Sequence, residues 1–158
     1  MYFNPFYNRF YFDDYFTRTF THAVLLVTSI ALIIVLVGLS IFLIARVRLF
    51  RNCGKQGFKA IIPFYGTYVF YCEICGLHWA WFVAKIAFGL LSINNTVVKI
   101  LEVFINAMAF HNFALRARKG NIPAMIFGGI VPSIMTVIYG FSTFYYDPTI
   151  DVKNSGLF

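Results

Sequence analysis

The sequence predicts an all-α integral membrane protein of four transmembrane helices, with a re-entrant or interfacial helical segment on the cytoplasmic side. Three observations predict it. Of 158 residues, 60% are hydrophobic and only 12% charged, about half the charged share of a soluble domain. Residues 23–45 (AVLLVTSIALIIVLVGLSIFLIA) carry no charge. The basic residues gather in two clusters separated by long apolar stretches.

The run 23–45 has 23 residues, which reach roughly 34 Å as a helix, enough to cross a hydrocarbon core of about 30 Å. It does not read as a cleaved signal peptide, because basic residues follow it instead of preceding it and no small-x-small site closes it. Before it, residues 1–22 form an extracytoplasmic aromatic tail in which Arg9 and Arg18 balance Asp13 and Asp14. Tyr2, Phe3, Phe6, Tyr7, Phe10 and Tyr11 repeat at helical spacing, the stripe of a short helix on a membrane surface or a partner. After it come Arg46, Arg48, Arg51, Lys55 and Lys59, so the positive-inside rule places this loop in the cytoplasm.

Residues 58–77 are read as a segment that dips into the bilayer and returns, with its turn at Gly57, Pro63, Tyr65 and Gly66. Reading it as a full crossing would put Arg116, Arg118 and Lys119 outside. Spans at about 78–93 and 96–115 follow as a hairpin turning at Asn94-Asn95. A last span at about 122–144 ends in an extracytoplasmic tail, 147–158. Four spans within a single membrane domain, 23–146, leave both termini outside and eight basic residues in cytoplasmic loops. The net charge of +7 is thereby topological, and no nucleic-acid partner is expected. Trp79 and Trp81 would mark the cytoplasmic headgroup level, and Tyr139, Tyr145 and Tyr146 the outer one.

The last span presents Gly129, Pro132, Ser133, Thr136 and Gly140 on one side, a helix-packing face, with Pro132 kinking the helix. Lys85, Lys99 and Glu102 are the intramembrane charges. Folding the hairpin brings Lys85 within reach of Glu102, as a structural ion pair or as part of a transport path.

Cys72-Glu-Ile-Cys75 has the C-x-x-C spacing, with His78 and Cys53 nearby. Zinc sites pair close ligands twice, whereas Cys53 stands alone, and no cation flanks the Cys pair to stabilise thiolates. Free thiols are expected, with no metal and no cofactor. No serine, metal or paired-carboxylate constellation supports an enzyme.

The order GKQGFKAIIPFYGTYVF, GLHWAWF, LLSINN and IFGGIVPSIMTVIYGFSTFYYD resembles a family of small bacterial integral membrane proteins of unknown function. That family's pattern is roughly K-A-G-x-x-G-W-x-x-I-I-P-x-Y-N-x-Y, then G-K-P-W-W, I-P-x-V-N and a last helix with Pro and F-G-D. The domain is also found fused to signal peptidase I. The resemblance covers about residues 46–146 and rests on Gly54, Gly57, Pro63, Tyr65, Tyr68, Gly76, Trp79, Asn94 and Pro132. Phe58, Gly66 and Ser92 stand where the family has Trp, Asn and Pro, and neither Cys72 nor Cys75 belongs to the pattern. It implies a bacterial cytoplasmic membrane location and no assigned activity.

The expected function is a non-catalytic membrane accessory or scaffold subunit that binds another membrane protein or self-assembles into an oligomer in the lipid bilayer. The alternative is a small transporter or channel using Lys85 and Glu102.

Overall fold

The computed structural model describes residues 5–92, 95–119 and 121–150, with side chains from Phe16 onward except that of Asn121. The N-terminal aromatic stripe, Asn94 and the tail from 151 lie outside the described side chains or residues. All regular structure among the described residues is helical. The chain divides into two units, Met1–Ser40 and Ile41–Phe158.

Helix α1 is Pro5–Asn52. From Phe16 through Ser40 every described side chain is exposed, and the apolar ones cover all sides of the helix rather than one stripe. Four of its hydroxyls close on the helix itself: Thr28 Oγ1 donates to the Val24 carbonyl at 2.8 Å, and Thr21, Ser29 and Ser40 likewise donate to the carbonyl four residues back. A helix apolar all round, with polar groups closed on its own backbone, suits lipid.

In the second unit α1 ends at a Schellman cap. The Lys55 N–H donates to Phe50 O, the Gly54 N–H donates to Arg51 O, and Gly54 takes φ 72°, a conformation glycine adopts without steric cost. A 3-10 turn, Gly57–Ala60, leads to Pro63 and a γ-turn centred on Phe64. The Tyr65 N–H donates to Pro63 O at 2.6 Å, with Phe64 at φ 60° and ψ −52°. Helix α2, Tyr65–Tyr68, runs straight into a π-helical turn, Val69–Ile74. Lys55 at the start of this segment pairs with Glu73 near its end at 2.7 Å, so the chain comes back to where it entered.

Helices α3 (Trp79–Leu91) and α4 (Thr96–Arg116) follow. His78 Nδ1 caps α3 by accepting from the Ala80 N–H, and Asn95 Oδ1 caps α4 by accepting from the Val97 N–H. Then come α5 (Asn121–Ile130) and α6 (Pro132–Phe141). Among the described residues two helices are long and apolar enough to cross a membrane, the stretch Phe16–Asn52 and α4. The 13 residues of α3 reach only about 20 Å.

The expected single span at 122–144 is two helices. Val131 leaves the helical region at φ −131° and ψ 65°, and Pro132 opens α6 at N1, where its missing N–H is harmless. Helix α5 runs back along α4. A Cβ on Gly129 would lie 3.0 Å from Ala107 Cβ and 3.1 Å from Val103 O, and Gly128 abuts the Phe110 ring. Helix α6 then returns: Tyr139 meets Phe113 edge-on at 4.9 Å, Arg48 lies over the Phe141 ring at 5.3 Å, and the Asp147 N–H donates to Arg116 O at 2.8 Å. Residues 121 and 147 are therefore at one end, beside Arg116 and Arg118. The expected kink at Pro132 is a reversal, because the small residues at 128–129 hold α5 on α4 while the aromatic residues after 138 hold α6 on Phe113.

Phe113 is the centre of the core. Fully buried, it contacts Phe70, Tyr139, Phe144 and Tyr146 at 6.2, 4.9, 5.5 and 6.5 Å between ring centroids, distances at which offset or edge-on rings attract.

Candidate functional site

The two returning segments, 57–76 and 121–147, meet the long helices at a cavity of about 160 Å³ within the second unit. Liquid water takes about 30 Å³ per molecule, so several waters or one small solute fit. Phe42, Leu49, Phe70 and Phe110 supply apolar wall. The polar wall comes from five elements: Arg46 on α1, Thr67 and Tyr71 on α2 and its π-turn, Lys85 on α3, Asn106 on α4, and Ser133 and Thr136 on α6.

Local structure explains these positions. The π-turn widens the helix after α2 and carries Tyr71 into the wall; such turns recur at functional sites. Gly66 lets α2 sit close, since a Cβ there would lie 2.8 Å from Lys59 O and 2.9 Å from Ala60 O. The break at Val131 leaves Pro132 and Ser133 facing the cavity, in keeping with irregular backbone inside membrane proteins being confined to cavities or protein contacts.

The wall is cross-braced. Tyr71 Oη donates to Asn106 Oδ1 at 2.5 Å, and both residues are buried. Thr136 Oγ1 donates to Pro132 O at 2.8 Å. Lys85 Nζ forms an ion pair with Glu102. Arg46 Nη2 reaches Thr67 Oγ1 at 3.4 Å, beyond the usual range of a strong N–H···O bond. Among the described residues Arg46 meets no carboxylate.

The sequence-predicted residues divide among several roles. Lys85 and Glu102 come together as expected from the hairpin, and Lys85 lines the cavity; Lys99 is exposed and stands apart from it. Gly57 is buried, with room only for hydrogen beside Val47 and Arg51. Pro63 and Tyr65 are exposed and flank the reversal at Phe64. The small-residue stripe serves three contacts. Gly129 packs on α4, Gly140 abuts the Ala45 carbonyl, and Pro132, Ser133 and Thr136 face the cavity.

Sequence reasoning missed Arg46, Tyr71 and Asn106 in the wall. Asn106 carried a signal, as an amide near the middle of an apolar span; Arg46 was hidden among topological charges. Cys53, Cys72 and Cys75 are free thiols, and among the described residues no three His, Cys, Asp or Glu side chains gather to hold a metal.

An all-helical fold with two spanning-length helices and a polar cavity defines the class as closely as geometry does. No protein-family model, curated protein or solved structure matches the chain.

Proposed function

We propose that this is a non-catalytic integral membrane protein that binds a small polar solute in the cavity, of the small transporter or channel type. The observation that carries the reading is the meeting of two chain reversals at a cavity lined by Arg46, Lys85, Asn106 and Ser133. Asn106 precedes Arg116 by ten residues of α4, roughly 15 Å of rise, or half of a 30 Å hydrocarbon core. Polar and charged groups at that depth mark solute paths more often than passive structure.

In this reading α1, a tilted α3 and α4 cross the bilayer. Segments 57–76 and 121–147 enter and leave from the cytoplasmic side, which puts the N-terminus outside and Asp147 inside. Apart from Arg46, which faces the cavity, both basic clusters stay cytoplasmic, as the positive-inside rule asks. The test is stopped-flow swelling of proteoliposomes in glycerol, urea and phosphate. Wild type is expected to admit at least one solute faster than empty liposomes, and Ser133→Trp, which fills the cavity, to match empty liposomes. Wild-type vesicles indistinguishable from empty ones, with no solute raising the melting temperature, would sink the reading.

The accessory or scaffold reading draws on a different observation, the exposure of every described side chain from Phe16 through Ser40. That surface fits lipid or a partner helix. Site-specific crosslinking from Val27 and Val35 in native membrane tests it, with reproducible protein adducts expected on the scaffold view and none on the lipid view.

A further inference from the structure

The cavity's charges are unequal, and resting on the solute-binding reading this identifies the solute. Lys85 is matched by Glu102. Among the described residues Arg46 has only the long hydrogen-bond contact to Thr67, although it is more than half covered by protein. A guanidinium partly withdrawn from water without an acid is less favourable than a free one, and an anion beside it offsets that penalty. The Tyr71 and Thr136 hydroxyl hydrogens are committed elsewhere in the wall, and Asn106 and Ser133 remain as donors. Asn106 has its Oδ1 occupied by the Tyr71 hydroxyl, which leaves its amide nitrogen to donate. Ser133 offers a hydroxyl, and the positive end of the α6 dipole begins at Pro132, in the wall.

We propose that the cavity binds a single oxyanionic group of the phosphate type, with Arg46 as its principal contact, Asn106 and Ser133 as further donors, and Glu102 holding Lys85 in check. Arg46 suits this role because its planar fork matches a tetrahedral oxyanion with two parallel hydrogen bonds. The group can arrive as free phosphate or as the head of an anionic lipid; both present the same oxygens.

The test is thermal melting of the full chain in nanodiscs at constant ionic strength. One arm titrates inorganic phosphate against chloride in neutral phosphatidylcholine discs, and the other replaces part of the neutral lipid with phosphatidate. Wild type is expected to be stabilised in at least one arm. Arg46→Met is expected to lose that response by tenfold or more in apparent affinity. Arg46→Lys, which keeps the charge without the fork, covers the case of a misfolded methionine variant and should fall between. Glu102→Gln is expected to strengthen binding several-fold, because it releases the Lys85 charge to the anion. A response in the phosphate arm assigns the free ion, and one confined to phosphatidate assigns a lipid.

An Arg46-independent response, or no response in either arm, overturns the proposal. If glycerol or urea still crosses in a Ser133→Trp-sensitive manner, the solute-binding reading survives and only the oxyanion assignment fails. If nothing crosses or binds, both fail.

Discussion

The Asp147 carboxylate lies 2.9 Å from the Arg118 guanidinium, and its own N–H is bonded to the Arg116 carbonyl. These contacts tie the end of the α5–α6 hairpin to the end of α4, so the chain after α6 emerges on the face carrying the second basic cluster. Single cysteines placed by Lys119→Cys and Thr149→Cys, in a chain with the three native thiols replaced by serine, should react with an impermeant maleimide from the same side. Labelling from opposite sides would restore a full crossing at 122–144.

The Asp147 carboxyl is held below the usual range. Its Oδ1 accepts from the Thr149 hydroxyl at 2.6 Å and from the Thr149 N–H at 3.0 Å, and Arg118 adds a weaker pull in the same direction. A depressed folded pKa means the native state binds protons less readily than the unfolded chain. The contribution to stability is therefore complete above the unfolded value near pH 4 and lost as pH falls through the lower folded value. Melting followed between pH 7 and pH 3 should show wild type above Asp147→Asn, with the gap constant down to about pH 5 and closing below it. A gap undiminished between pH 5 and pH 3 would exclude the carboxylate as its source.

Phe64 occupies the γ-turn of positive φ, a strained conformation that costs a β-carbon-bearing residue about 1–3 kcal/mol. Its side chain is 65% exposed, so little packing opposes its removal. Phe64→Gly should gain about 1 kcal/mol after the added freedom of glycine in the unfolded chain is subtracted. Phe64→Ala keeps the strained backbone and should be no more stable than wild type. A stability of Phe64→Gly at or below that of Phe64→Ala would show that the turn is not strained.

The fold was legible where one residue type decides. The uncharged run 23–45 and the length of α4 announce helices long enough to span a membrane, and Lys85 and Glu102 announce each other once the hairpin folds. The first reversal shows in the local chemistry of Pro63 and Gly66, with Lys55 and Glu73 at its base. The second was hidden. Asp147, Asp151 and Lys153 sum to nearly nothing, so the positive-inside rule is silent on which side the tail lies. Pro132 permits a kink and a reversal equally. The choice is made by Gly128 and Gly129 against α4 and by Tyr139 and Phe144 against Phe113, contacts that no local pattern encodes. Arg46 was obscured for a similar reason, because a loop cation and a cavity cation count alike.

Cys53 follows directly on α1 and is buried. Burial pushes its thiol up to about 12, with the nearby Lys55 pulling weakly downward. At pH 8 only roughly one molecule in ten thousand carries the thiolate, which is the reactive form. In a chain with Cys72→Ser and Cys75→Ser, maleimide labelling of Cys53 should be slower by orders of magnitude than in denaturant. The native rate should keep rising about tenfold per pH unit between 8 and 10, whereas the denatured rate levels off near 9. A native rate that also levels off near 9 would place Cys53 in contact with water.

His111 and Phe113 lie two residues apart on α4, both buried, and their replacements should move stability in opposite directions. Phe113 holds Phe70, Tyr139, Phe144 and Tyr146 together. Phe113→Ala leaves a cavity and frees the end of the α5–α6 hairpin, a loss of about 3 kcal/mol. His111 contributes burial without bonding: among the described residues neither ring nitrogen has a hydrogen-bond partner, and a buried polar group left unpaired costs about 1–3 kcal/mol. His111→Leu keeps comparable volume and removes that cost, so its melting temperature should rise. His111→Gln, which keeps polar atoms at the same place, should not share the gain. If His111→Leu is destabilising while His111→Gln is neutral, the imidazole has a polar partner in the membrane, and the end of α4 is a second place to look for a bound group.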